Sequence, residues 1–164
     1  MSRRAARPSR ASRTPAVGAA APCPCGLSAS YGECCGRLHS GAAKAASPEA
    51  LMRSRYSAFA VGDEAYLSRT WHPSTRPPRI GLESGTRWVG LEILATTEGT
   101  AFHRAGTVTF RARYSDHGRP GSLYEVSRFV RLDGGDWVYV DGDTRETDGD
   151  TREAHGDTGE QPLA

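Results

Sequence analysis

The chain has 164 residues and a mass of 17.6 kDa, with 37% hydrophobic and 8% aromatic residues, a lean supply that suits one domain, or a small domain plus a module held by something other than a core. Its formal charge of +2 is the sum of unlike parts, since residues 1–20 hold five arginines and no acid while residues 141–164 hold eight acids against two arginines. That total says little about any partner surface, and no stretch approaches the roughly 20 apolar residues of a membrane span, so a cytoplasmic protein with no membrane contact is expected.

Residues 1–20 mix Arg with Ala, Ser and Pro and cannot bury a core, which predicts a disordered basic head. The twin arginine Arg3-Arg4 is followed by no apolar region, so a secretory signal is not expected. An organelle transit peptide and a nucleic-acid arm are the other readings of such a head.

All four cysteines fall within the stretch CPCGLSASYGECC, Cys23 to Cys35. Cys34 and Cys35 are adjacent and Cys23 and Cys25 are one residue apart, a spacing that makes disulfides strained. A metal is the better account. Zinc takes four thiolate or imidazole ligands at tetrahedral corners, and a structural site is closed. The eight-residue loop can fold back on itself, with Gly26 and Gly32 giving backbone freedom at its two ends. One structural Zn2+ on Cys23, Cys25, Cys34 and Cys35 is therefore expected in a module over residues 21–42, with His39 as an alternative fourth ligand in place of Cys35.

Ser47-Pro48-Glu49 reads as a helix start, with an N-cap, a first-turn proline and an acid near the positive end of the dipole. Met52, Tyr56 and Phe59 then share an apolar face, and Gly62 stops the helix. Asp63 caps a second helix predicted from Glu64 to Trp71, ended by Pro73. Arg53, Arg55, Arg69, Arg37 and Lys44 make the helical part basic, which reads as a solvated face or a weak nucleic-acid stripe.

Beyond Arg79 the period becomes two. Val89, Leu91, Ile93 and Ala95 alternate, as do Val108, Phe110, Ala112 and Tyr114, and a third segment sets Tyr124, Val126, Val130 and Leu132 on one face. Asp133 to Asp136 then turns into the strand Trp137 to Val140. Helices followed by strands predict α+β with a curved antiparallel sheet over residues 47–142. On this phase Arg128 interrupts an apolar face. A ligand pocket is one reading, with Glu125 as acid or base, Arg128 holding an anion, and His72, Trp71 or Trp88 at the mouth. A structural ion pair, or an arginine reaching solvent, is the plainer one. Residues 143–164 continue an acidic seven-residue repeat, DGDTRET, DGDTREA, HGDTGEQ, and are expected to be a disordered tail.

The run CPCGLSASYGECCGRLHSG, with ALMRSRYSAFAVGD, TWHPSTRP, EVSRFVR and DWVYVDG after it, resembles the YchJ family of bacterial proteins, and its first part resembles the SEC-C zinc motif. The resemblance covers about residues 22–142. It implies a zinc module followed by a cone similar to nuclear transport factor 2. Gly26-Leu27-Ser28-Ala29 departs from the family's Gly-Ser-Gly-Lys at that turn. Two functions are carried forward: a zinc-stabilised, non-enzymatic binding or adaptor protein whose module docks a protein or nucleic acid, and a small-molecule binder or enzyme using the cone cavity.

Overall fold

A computed structural model describes residues 17–148 of the chain. The expected head, apart from its last residues, and the second and third copies of the acidic repeat, apart from Asp148, lie outside those residues.

Among the described residues the first helical elements are a 3-10 turn, Tyr31–Glu33, and the short helix α1, Cys35–His39. The long helix α2, Pro48–Val61, starts and stops where its punctuation predicts. Ser47 Oγ accepts from the Ala50 amide at 3.1 Å, and Gly62 closes the helix at φ 77°, satisfying end groups that the helix itself leaves open. Asp63 caps α3, Glu64–Arg69, by accepting from the Tyr66 amide. This helix is shorter than predicted. Trp71 leaves it to form a parallel bridge with Tyr139 in the sheet, where the His72 amide donates to Tyr139 O at 2.7 Å and the Tyr139 amide to Thr70 O at 2.9 Å. A backbone partner on the sheet outcompetes two more residues of helix.

Four strands follow as an antiparallel meander: β1 Thr86–Glu98, β2 Ala105–Asp116, β3 Arg119–Arg131 and β4 Trp137–Asp148, adjacent in that order. The helices pack on one face. Leu51, Leu67, Val108 and Phe129 are buried there at 1% exposure or less, each worth about 2 kcal/mol of transfer from water.

Three expectations about the sheet need correction. A bulge between Trp88 and Gly90 turns Val89 outward, so Trp88 joins the expected Leu91 and Ile93 on the core, and a second register shift between Ile93 and Ala95 leaves Ala95 exposed. On β3 the phase is opposite to the predicted one. Phe110 pairs with Glu125 and Val108 with Ser127, which places Leu123, Glu125, Ser127 and Phe129 inward and Val126, Arg128 and Val130 on the outer face. Polar residues on the inward face hid it from a count of apolar ones. Finally, β4 runs to Asp148, so the strand takes in the first copy of the acidic repeat, past the boundary expected at 142.

Candidate functional site

Two groups of side chains stand out, and α2 lies between them. The first is the cysteine cluster. The loop folds back through a Pro22–Ser30 bridge and hydrogen bonds from the Tyr31 amide to Ala21 O and from the Gly26 amide to Cys23 O. Gly26 makes this turn at φ 84°, a conformation that costs a side-chain-bearing residue energy. The four Sγ atoms consequently lie within 4.8 Å of one another. Cys25 and Cys34 are 3.6 Å apart and Cys34 and Cys35 3.9 Å, far beyond a disulfide bond. Cys23, Cys25 and Cys35 are buried. The thiols do not ionise alike: a hydrogen bond from Cys35 holds Cys25 down at about 5, the same bond pushes Cys35 up, and burial raises Cys34 to about 11. Together they form a possible metal site.

Their surroundings are ordered. Ser57 Oγ, fully buried on α2, lies 3.8 Å from Cys23 Sγ and also hydrogen-bonds Cys35. Arg53 donates to the Cys25 carbonyl at 3.1 Å and is held by Glu49 at 2.9 Å. Groups of this kind fix the orientation of metal-binding side chains.

His39 stands outside the cluster. Its Nε2 donates to the Ser54 carbonyl at 2.8 Å, so Nδ1 accepts from Tyr31 Oη at 2.7 Å. Both nitrogens are engaged, and burial holds the imidazole's pKa below its usual value. The structure thus gives the alternative fourth ligand a docking role, which Arg69 extends by donating to the carbonyls of Leu38 and His39. Arg53, Arg69 and Lys44, which donates to Asp136 at 2.8 Å, are all engaged within the chain, so the predicted basic face is largely a set of internal contacts.

The second group lines a cavity of about 490 Å³ between α2 and the sheet. Met52, Arg55, Tyr56 and Phe59, at i, i+3, i+4 and i+7, form its helical wall. Trp88 stacks edge-on against Tyr56 and Tyr114. At the inner end Glu125 Oε1 accepts from Ser127 Oγ at 2.6 Å and Tyr139 Oη at 3.1 Å, and Oε2 accepts from Thr144 Oγ1 at 3.1 Å. Burial, then the Glu125 carboxylate, pushes the Tyr139 phenol well above its ordinary pKa. Gly142 makes room, since a Cβ there would overlap the carboxylate.

Glu125 is therefore inside, as the pocket reading expects, and Trp71 and Trp88 line the cavity with it. Arg128 is not there. It pairs on the outer face with Asp141 at 2.5 Å and Asp143 at 2.8 Å. His72 also lies off the cavity lining, its Nδ1 turned to Ser74. The cation inside is Arg55, 4% exposed, donating to Leu67 O at 2.9 Å and Thr70 Oγ1 at 2.8 Å and stacked over Tyr139 and Trp71 at 4.6 and 5.0 Å. Burial lowers its pKa to about 10, so it stays charged at neutral pH. The missed signal was its spacing: position 55 falls on the face of Met52, Tyr56 and Phe59.

The chain is similar to known proteins. Residues 47–142 match the family model described as YchJ, middle NTF2-like domain. A UPF0225 protein of Streptomyces coelicolor is 63% identical over 122 residues, covering 74% of this chain and 94% of that one. One of Cupriavidus metallidurans is 50% identical over 131 residues, 77% of this chain and 91% of its own. Among solved structures, that of the SEC-C motif containing protein RPA3114 of Rhodopseudomonas palustris is 34% identical with a TM-score of 0.65, covering 74% of this chain and 96% of that one. A SEC-C motif containing protein of Psychrobacter arcticus is 26% identical at a TM-score of 0.63, over 75% and 82%.

Proposed function

The chain belongs to the YchJ (UPF0225) family, with a middle NTF2-like domain, and from that premise we propose that it is a zinc-stabilised binding or adaptor protein without catalytic activity. The observation that carries this reading is the four-thiol cluster. Separations of 3.6 and 3.9 Å between sulfurs bracket the edge of about 3.8 Å for a tetrahedron built on zinc–sulfur bonds of roughly 2.3 Å. Four thiolates this close repel one another unless a cation sits among them. A four-sulfur shell leaves no open position for substrate, so the metal's contribution is to hold the fold.

Ser57, Arg53 and His39 fasten the Cys23–Cys35 module to the cone, and a bound zinc would hold the four thiols of that loop together. A protein partner fits the module better than nucleic acid, because Arg53, Arg69 and Lys44 are already bonded inside the chain and Leu27, on the exposed turn, is 47% accessible. Glu125 already accepts hydrogen bonds from Ser127, Tyr139 and Thr144, an arrangement that supports a binding role over proton transfer.

Elemental analysis of full-length protein purified without chelator tests the metal, with one zinc per chain expected, lost in Cys34→Ser and kept in His39→Ala. Crosslinking in the source organism with and without Leu27→Asp tests the module as a docking element. A metal-free protein that unfolds as the wild type does would overturn the reading.

A further inference from the structure

The inner end of the cavity has hydrogen-bond donors left over. Among the described residues Arg55 uses only Nη1, on Leu67 O and Thr70 Oγ1. Its Nε and Nη2 have no partner there and are not sealed inside protein, which leaves them the cavity to face. Beside the guanidinium lies the Trp71 ring; its own Nε1 is closed off from the cavity and has no hydrogen-bond partner among the described residues, so Arg55 alone presents free donors to the cavity. Buried donors are normally matched. Glu125, by contrast, already accepts three hydrogen bonds of the roughly four a carboxylate can take.

Charge narrows what could supply the missing acceptor. Arg55 and Glu125 balance each other inside, and the remaining charged lining residues, Glu83, Asp116 and Glu146, are all acidic. An anion would enter past three carboxylates to lie against a fourth. A cation would meet the like charge of Arg55 where the free donors lie and would offer them no acceptor. The walls are aromatic, and the volume of about 490 Å³ is within the range of small-molecule sites.

We propose that this cavity binds an uncharged small molecule with a flat apolar body and a carbonyl-type acceptor, the acceptor meeting Arg55 and the body lying between Tyr56, Trp88, Phe110 and Tyr114. Nothing in this argument for the cavity depends on what the cysteine cluster across α2 holds.

Benzamide, benzoate and benzylamine share one ring and carry neutral, anionic and cationic heads, so together they test the assignment. Each is titrated at millimolar concentration into the full-length, metal-loaded protein while the indole N–H signals are followed by NMR. Trp71 and Trp88 line the cavity and Trp137 does not, so the first two shift saturably with benzamide and the third stays still. Benzylamine, which brings no acceptor to Arg55, and benzoate, which is repelled by Glu125 and the three other acidic lining residues, bind about tenfold more weakly or worse. Arg55→Met and Arg55→Lys lose benzamide binding by a similar factor. Should Arg55→Met fail to fold, the order of the three heads and Arg55→Lys decide. Indole signals indifferent to benzamide, tighter binding of either charged probe, or an Arg55→Lys variant that binds like the wild type would each overturn the proposal.

Discussion

His39 Nε2 donates to the carbonyl of Ser54 at 2.8 Å, joining the cysteine module to the middle of the longest helix. Removing the ring in His39→Ala leaves Ser54 O and Tyr31 Oη without this partner and opens a void. The expected loss is about 2–4 kcal/mol at pH 8, read by denaturant unfolding of metal-loaded protein. The loss depends on pH. Burial lowers the folded pKa of His39, whereas the unfolded value is about 6.5, so between the two the unfolded chain binds more protons. The contribution of His39 is full above about pH 6.5 and declines as pH falls below it. The gap between wild type and His39→Ala therefore narrows in acid, and a gap that widened would contradict a neutral, buried imidazole.

On the proposed reading, chelation or Cys34→Ser strips the cysteine cluster of its zinc. Because the module is tied to α2 by Ser57, Arg53 and His39, it cannot melt by itself without unmaking contacts of the core helix. Calorimetry is expected to show one transition, lowered by at least about 10 °C, since structural metal sites contribute several kcal/mol or more to folding. Two separated transitions would mean that module and cone fold independently.

Gly142→Ala places a methyl group where the Glu125 carboxylate lies. The carboxylate must swing away from Ser127, Tyr139 and Thr144, at an expected cost of about 1–3 kcal/mol. Glu125→Ala combined with Gly142→Ala relieves the clash, so the double variant is more stable than the sum of the two single losses predicts. Additive losses in that double-mutant cycle would show that the two positions do not interact.

Arg128→Ala is expected to leave the thermal midpoint nearly unchanged. Its two carboxylate partners, Asp141 and Asp143, are exposed with it on the outer face, where ion pairs are screened by salt and water. Any small effect at low ionic strength disappears in concentrated salt. A large, salt-insensitive loss would place Arg128 in a drier environment than the sheet gives it.

Much of this molecule was legible in the chain. Ser47, Gly62 and Asp63 punctuate the helices where expected because capping chemistry is local. The CPC and ECC pairs announced their convergence through spacing alone. What stayed hidden depended on contacts distant in sequence. The inward face of β3 could not be recognised from apolar residues because Glu125 and Ser127 belong to a cavity, and the bulge at Val89 moved its neighbours out of simple alternation. Arg55 read as a solvated helix residue until Trp71 and Tyr139 were seen closing over it.

The helix α2 turns Arg53, Ser54 and Ser57 toward the cysteine module and Met52, Arg55, Tyr56 and Phe59 toward the cavity. A packed helix moves as a rigid rod, so a shift or rotation made for one side is delivered to the other. An occupant of one side that favoured a particular position of α2 would, by linkage, bias the other side by the same free energy. The chain has, in one helix of fourteen residues, a common lever with a hand on each end.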